Sequence, residues 1–152
     1  FYSGGGPLAV GAIIGGATEE QVDALRSFGM AAGLAFQIQD DVLNLVGTRE
    51  ATKKDFRSDI TEGKRTLVAI HALQNSADSD RLLEILAGRA EDAAALDEAV
   101  AIMEAAGSVD YANDYARDLI IGAKSQLEEA LPKSKSRDLL MSMADFFVKR
   151  SS

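Results

Sequence analysis

The tetrapeptide Thr18-Glu19-Glu20-Gln21 opens a long stretch of helical periodicity. A Thr three residues before a Gln allows two otherwise orphaned amides to be satisfied reciprocally, the capping box that starts a helix. Downstream, Val22, Leu25, Phe28 or Gly29, Ala32, Ala35, Phe36 and Leu43 recur at three- to four-residue steps. The spacing predicts a helix to Leu45 or Val46, ended by Gly47. At the α-helical rise such a rod is about 40 Å long, enough to cross a domain. Any fold this chain adopts must be built around it. Gly29 and Gly33 leave room for a neighbouring helix to approach closely.

The rest of the sequence also favours helices. Alanine is abundant and only 2 of 152 residues are proline. No sustained alternation of β-branched residues suggests a strand. The expectation is an all-α fold in one domain, with enough chain to bury a core. Gly4 to Gly16 reads as a close-packed helix with Pro7 in its first turn. The sharper reading, a phosphate-binding glycine loop, lacks both a preceding strand and the expected lysine. Residues 48–63 read as a loop or short helix. Further helices are predicted near 64–74, 77–87, 92–106, 109–131 and 136–149, with breaks at Gly88, Gly107 and Pro132.

Composition narrows the function. A net charge of −8 gives no sequence-wide basic footprint for nucleic acid. Handling an anionic substrate would require metal ions or local Lys and Arg. With no cysteine, disulfides and thiolate metal sites are impossible, which fits a cytoplasmic setting. No apolar run reaches membrane-spanning length, and no signal peptide is evident. The chain opens at Phe1 without Met and enters a Gly-rich apolar stretch at once, which reads as the middle of a longer sequence.

Two segments carry the chemistry. Phe36-Gln37-Ile38-Gln39-Asp40-Asp41-Val42-Leu43-Asn44 sets two adjacent carboxylates inside an apolar run. Gln37, Asp40, Asp41 and Asn44 share a helix face about 100° wide. One reading is a site for a hard divalent cation such as Mg²⁺, which prefers oxygen ligands. The other is a solvated acidic face. Phe36, Ile38, Val42, Leu43 and Leu45 argue for the first, because they crowd the carboxylates with apolar surface. The second segment is Lys54 with Asp59-Ile60-Thr61-Glu62-Gly63-Lys64-Arg65-Thr66. Two lysines ten residues apart, just after an acidic helix end, suit phosphate oxygens. A solvated charged loop is the other reading.

In this order and at this spacing, the two segments resemble the trans-prenyltransferases, the isoprenyl diphosphate synthases. Residues 36–44 are similar to the family's second Asp-rich motif, and Lys54 through Thr66 to its downstream Lys-containing loop. Pro7 to Ala12 resembles the helix before that motif, and Ala144 to Arg150 the terminal helix. The resemblance covers nearly all of the chain. It implies the C-terminal part of an antiparallel helical bundle. It also implies Mg²⁺-dependent condensation of an allylic diphosphate with isopentenyl diphosphate to a C15–C20 or longer prenyl diphosphate. Asp40 and Asp41 would bind Mg²⁺, with Asn44 the least secure ligand because many members have Asp there. Gln37 would stabilise the developing allylic cation or orient the diphosphate, Lys54 and Lys64 would contact that diphosphate, and Phe36 would pack beneath the site. Homodimerisation is usual in the family.

The departures are equally specific. The family's first Asp-rich motif, its isopentenyl-diphosphate arginines and its Lys-Thr pair have no counterpart in these 152 residues. The expectation is therefore the C-terminal half of a synthase, inactive alone, whose partner is the missing N-terminal half. A non-catalytic regulatory subunit is the main rival. Cyclisation on the same fold accounts less well for the Lys loop, and a helical interaction module leaves both segments unexplained. Elsewhere, His71 reads as a core or interface histidine. Asp110, Asp114 and Asp118 read as a solvated face, and Met103, Met141 and Met143 as ordinary core.

Overall fold

The computed structural model describes residues 4–47, 57–89 and 92–149. Eight helices lie among the described residues: α1 (Gly5–Ile14), α2 (Glu19–Val46), α3 (Ser58–Thr61), α4 (Leu67–Asn75), α5 (Ser79–Gly88), α6 (Ala93–Ala105), α7 (Ser108–Ala130) and α8 (Lys135–Lys149). The described residues contain no strand, so the fold is all-α. Two compact units can be distinguished, residues 1–37 with 115–152 and residues 38–114. Both α2 and α7 contribute residues to each.

In the first unit the capping box forms as its sequence requires. The Thr18 amide donates to Gln21 Oε1 at 3.1 Å, and the Gln21 amide donates to Thr18 Oγ1 at 3.3 Å. Pro7 lies in the first turn of α1, where its missing N–H costs nothing. Ala9, Ala12 and Val22 form a buried cluster, with Ala17 and Leu25 packed against it. Small side chains let α1 and α2 approach closely. A Cβ placed on Gly29 would lie 2.6 Å from the Gly4 carbonyl carbon, so only glycine fits there. Gly33 differs from the expectation: a Cβ at that position would meet nothing within 4 Å. Ser134 Oγ accepts the Arg137 amide at the start of α8, after the break predicted at Pro132. Lys124 Nζ donates to both carboxylate oxygens of Asp145, at 2.8 Å each, tying α7 to α8. Met143 is not core: it is exposed on α8 and lines a groove with Phe36 and Phe147.

In the second unit α4 packs against α5 and α6, and α3 lies against the same two helices. Val42, Ile60, Val68, Leu82 and Met103 are almost completely buried in its core. Thr66 Oγ1 caps α4 by accepting the Ala69 amide, and Asp92 Oδ1 caps α6 by accepting the Ala95 amide. The predicted break at Gly88 falls one residue later. Gly88 ends α5 and Arg89 takes the left-handed conformation, with φ +48°. His71 is half-buried, its Nδ1 2.9 Å from Ser108 Oγ and its ring stacked on Tyr111 at 4.2 Å. These are packing contacts, and His71 is not fully buried. Asp110, Asp114 and Asp118 are exposed.

The two glycines predict opposite outcomes on substitution. Gly29→Ala forces backbone apart and should destabilise by about 1–3 kcal/mol. Gly33→Ala, in an open helical position, should stabilise by about 0.5–1 kcal/mol. Equilibrium denaturation of the two variants checks both. A neutral Gly29→Ala would refute the close-approach argument.

Candidate functional site

The orientation of α2 decides what its acidic residues can do. Ala35, Ile38, Gln39, Val42 and Leu45 are buried, at steps of three, one, three and three. Asp40 points about 160° away from the centre of that stripe and is exposed. Asp41, at the stripe's margin, is half-buried. This corrects the sequence reading, in which flanking apolar residues enclosed both carboxylates. Ile38, Val42 and Leu45 are neighbours of Asp40 in sequence but face the opposite side of the helix.

Phe36 and Gln37 belong to the first unit, and both side chains are exposed. The Phe36 ring meets Phe147 edge-on, with centroids 5.2 Å apart and planes at 72°. Both residues line an apolar cavity of about 470 Å³, together with Leu8, Phe28, Leu140 and Met143. The buried glutamine of the motif is Gln39, whose Nε2 donates to Asn113 Oδ1 at 2.9 Å. Sequence reasoning missed it, although Gln39 occupies a stripe position between Ala35 and Val42.

Lys54 lies outside the described residues; residues 57–64 are organised around Asn44 and Asp59. The Arg57 amide donates to the Asn44 carbonyl at 3.1 Å. Asn44 Nδ2 donates to Ser58 Oγ at 3.0 Å, and Asn44 Oδ1 accepts the Asp59 amide at 3.2 Å. Arg57 also pairs with Asp97 of α6. Asp59 is buried and accepts from Lys64 Nζ at 2.6 Å, while its carbonyl accepts the Lys64 amide at 2.8 Å. Gly63 makes this reversal possible. Its φ is +65°, and a Cβ there would lie 2.7 Å from the Leu86 carbonyl oxygen. Each residue of the Asp59-x-x-Glu62-Gly63-Lys64-x-Thr66 pattern thus has a local task, with Glu62 a second partner for Lys64 at 3.3 Å. Ser58 and Asp97 carried no sequence signal, because their partners are distant along the chain.

Hydrogen bonding to Asp59, reinforced by Glu62, holds the half-exposed Lys64 ammonium above its ordinary pKa of 10.5. A raised lysine pKa stabilises the fold fully below the unfolded value. That contribution is lost as pH climbs through the folded one.

Asp40 and Asp41 offer adjacent hard oxygen donors, the chemistry Mg²⁺ takes. No group of three or more His, Cys, Asp or Glu able to hold a metal occurs among the described residues. Among the described residues these two carboxylates are therefore not joined by a third such ligand. No helix among the described residues is long and apolar enough to cross a membrane.

The fold and site define an all-α chain that displays paired carboxylates beside a tethered lysine loop. The sequence profile described as Polyprenyl synthetase matches residues 2–103. The chain belongs to the polyprenyl synthetase family. It is 38% identical over 143 residues to a geranylfarnesyl diphosphate synthase of Natronomonas pharaonis, covering 94% of this chain and 40% of that protein. It is 41% identical over 142 residues to a short chain isoprenyl diphosphate synthase of Methanothermobacter thermautotrophicus, covering 92% and 43%. The crystal structure of geranylgeranyl pyrophosphate synthetase from Pyrococcus horikoshii superposes with a TM-score of 0.81 at 36% identity, covering 97% of this chain and 46% of that one. The chain spans less than half the length of each of these relatives.

Removing the Asp59 charge should lower the Lys64 titration toward 10.5. Lysine side-chain NMR of wild type and Asp59→Asn reads this directly. Identical titrations would separate the two residues.

Proposed function

We propose that this chain is the C-terminal portion of a trans-prenyltransferase, a polyprenyl diphosphate synthase, and carries the second acidic half-site. The reaction condenses an allylic diphosphate with isopentenyl diphosphate. The allylic C–O bond breaks and pyrophosphate leaves. The isopentenyl alkene then forms the new C–C bond, and a proton is lost. The observation carrying this reading is that α2 presents Asp40 outward, with Asp41 half-buried beside it, while Asn44, one turn on, holds the loop that carries Lys64.

Asp40 would hold the metal directly, and Asp41 would do so directly or through water. Magnesium, when bound, supplies Lewis-acid neutralisation of the diphosphate leaving group. Lys64, with Lys54, holds the allylic diphosphate by charge-assisted hydrogen bonds. Gln37 orients that diphosphate or stabilises the allylic cation. The apolar cavity of the first unit, lined by Leu8, Phe28, Phe36 and Met143, suits an isoprenoid chain. Phe36 keeps its place there by packing on Phe147. The relatives' names support this reading. So does a geranylgeranyl pyrophosphate synthase from Corynebacterium glutamicum, complexed with isoprenyl diphosphate and magnesium, which superposes at a TM-score of 0.86 and 27% identity. The relatives' greater length supports a reading in which a preceding half of the full-length protein supplies the remaining metal ligands and the isopentenyl diphosphate site. Homodimerisation and a cytoplasmic location complete the proposal.

In the full-length protein Asp40→Ala should cut turnover at least about 100-fold, the scale of a lost electrostatic stabiliser, with an unchanged melting transition. Near-normal turnover would remove Asp40 from the metal site. Lys64→Ala should raise the allylic diphosphate KM about 10-fold, the scale of one charged hydrogen bond. If wild-type full-length protein forms no prenyl diphosphate with Mg²⁺ and both substrates, the chain belongs to a non-catalytic subunit.

A further inference from the structure

We propose that Asn44 is a positioning residue, whose side chain fixes the Lys64 loop to the helix that bears Asp40 and Asp41. The inference rests on the proposed function for the roles of Lys64 and the two aspartates. The tether itself rests on geometry alone.

Asn44 lies one helical turn beyond Asp40 on α2. It makes three hydrogen bonds to three successive residues: its carbonyl accepts the Arg57 amide, its Nδ2 donates to Ser58 Oγ and its Oδ1 accepts the Asp59 amide. The Asp59 amide stands in the first turn of α3, where no intrahelical acceptor exists, so Asn44 supplies the missing partner. From Asp59 the connection continues twice over. The buried carboxylate takes the Lys64 ammonium at 2.6 Å, and the carbonyl takes the Lys64 amide at 2.8 Å. A displacement of α2 is therefore transmitted through Asn44 and Asp59 to the lysine. An Asn can donate and accept at once, and this one does both. The oxygen that a metal would use is already engaged with a backbone amide. Positioning accounts for an uncharged amide at this place more directly than metal ligation does.

Hydrogen exchange and steady-state kinetics on the full-length protein test this together. Asn44→Ala should speed exchange of the Asp59 and Lys64 amides at least about 10-fold, while the mid-α2 amides keep their protection. It should raise the allylic diphosphate KM by about the same factor as Lys64→Ala. The double variant should be no worse than Lys64→Ala alone, and the Mg²⁺ concentration for half-maximal activity should stay unchanged. Asn44→Asp, which still accepts from Asp59 and from the Ser58 hydroxyl, should restore most of the protection. Unchanged exchange at Asp59 and Lys64 in Asn44→Ala would overturn the proposal. A shifted Mg²⁺ requirement with an unchanged KM would instead make Asn44 a ligand and overturn it too. If Asn44→Ala does not fold, Ser58→Ala removes one of the same bonds and must still loosen the Asp59 amide; full protection there also overturns the tether. If Lys64→Ala leaves KM unchanged, the proposed substrate role of Lys64 fails, and the exchange data still decide whether Asn44 holds the loop.

Discussion

The rotation of α2 about its own axis governs everything else the chain presents. Burial of Ile38, Val42 and Leu45 is worth about 1.5–3 kcal/mol for each side chain. Turning the helix by one residue, about 100°, would expose part of that stripe and drive a carboxylate inward. An unpaired buried charge costs far more than a buried aliphatic group gains. The apolar stripe and the two aspartates therefore enforce the same orientation. Gln39 adds direction to that preference. It lies within the stripe yet is polar, and its bond to Asn113 is satisfied only when α2 holds one angle against α7.

The first unit buries Phe28, Ile120 and Leu127, yet its cluster of α1 and α2 residues uses smaller side chains. Its core cluster is mostly alanine, so each residue buries little area. Backbone proximity compensates: at Gly4 and Gly29 the chains of α1 and α2 touch without intervening side chains. Dispersion acts over such short separations, and the contact leaves the larger Leu8, Phe28 and Phe36 free to line the neighbouring groove. The same arrangement makes Met143 a groove wall rather than core.

Much of this could be read directly from the sequence. The capping box and the three- to four-residue periodicity specify α2 to within a residue, because both are local rules. The reading failed where linear neighbourhood was taken for spatial neighbourhood. Ile38 and Val42 flank Asp40 in the sequence and face away from it in the helix, so the carboxylate is solvated. Gln39 could have been assigned from the stripe, where it lies between Ala35 and Val42. The partners of Asn44 could not be read at all. Ser58 and Asp59 follow 14 and 15 residues later, and the bonds depend on the path of the intervening chain.

The Lys64 ion pair is best understood by what it fixes rather than by its strength. Lys64 is half-exposed, and pairs of that kind contribute about 0–1 kcal/mol in water. Such a pair is a weak reason for a loop to fold, and the loop does not depend on it. Gly63, the Thr66 cap and the Asn44 bonds already set its path. The carboxylate of Asp59 instead selects one direction for a flexible four-carbon side chain that would otherwise sample many. Because the pair is cheap to rearrange, the ammonium can exchange one oxygen partner for another without disturbing the backbone beneath it. Strength resides in the backbone hydrogen bonds and position in the surface charge, a division of labour suited to the anion contact proposed for Lys64.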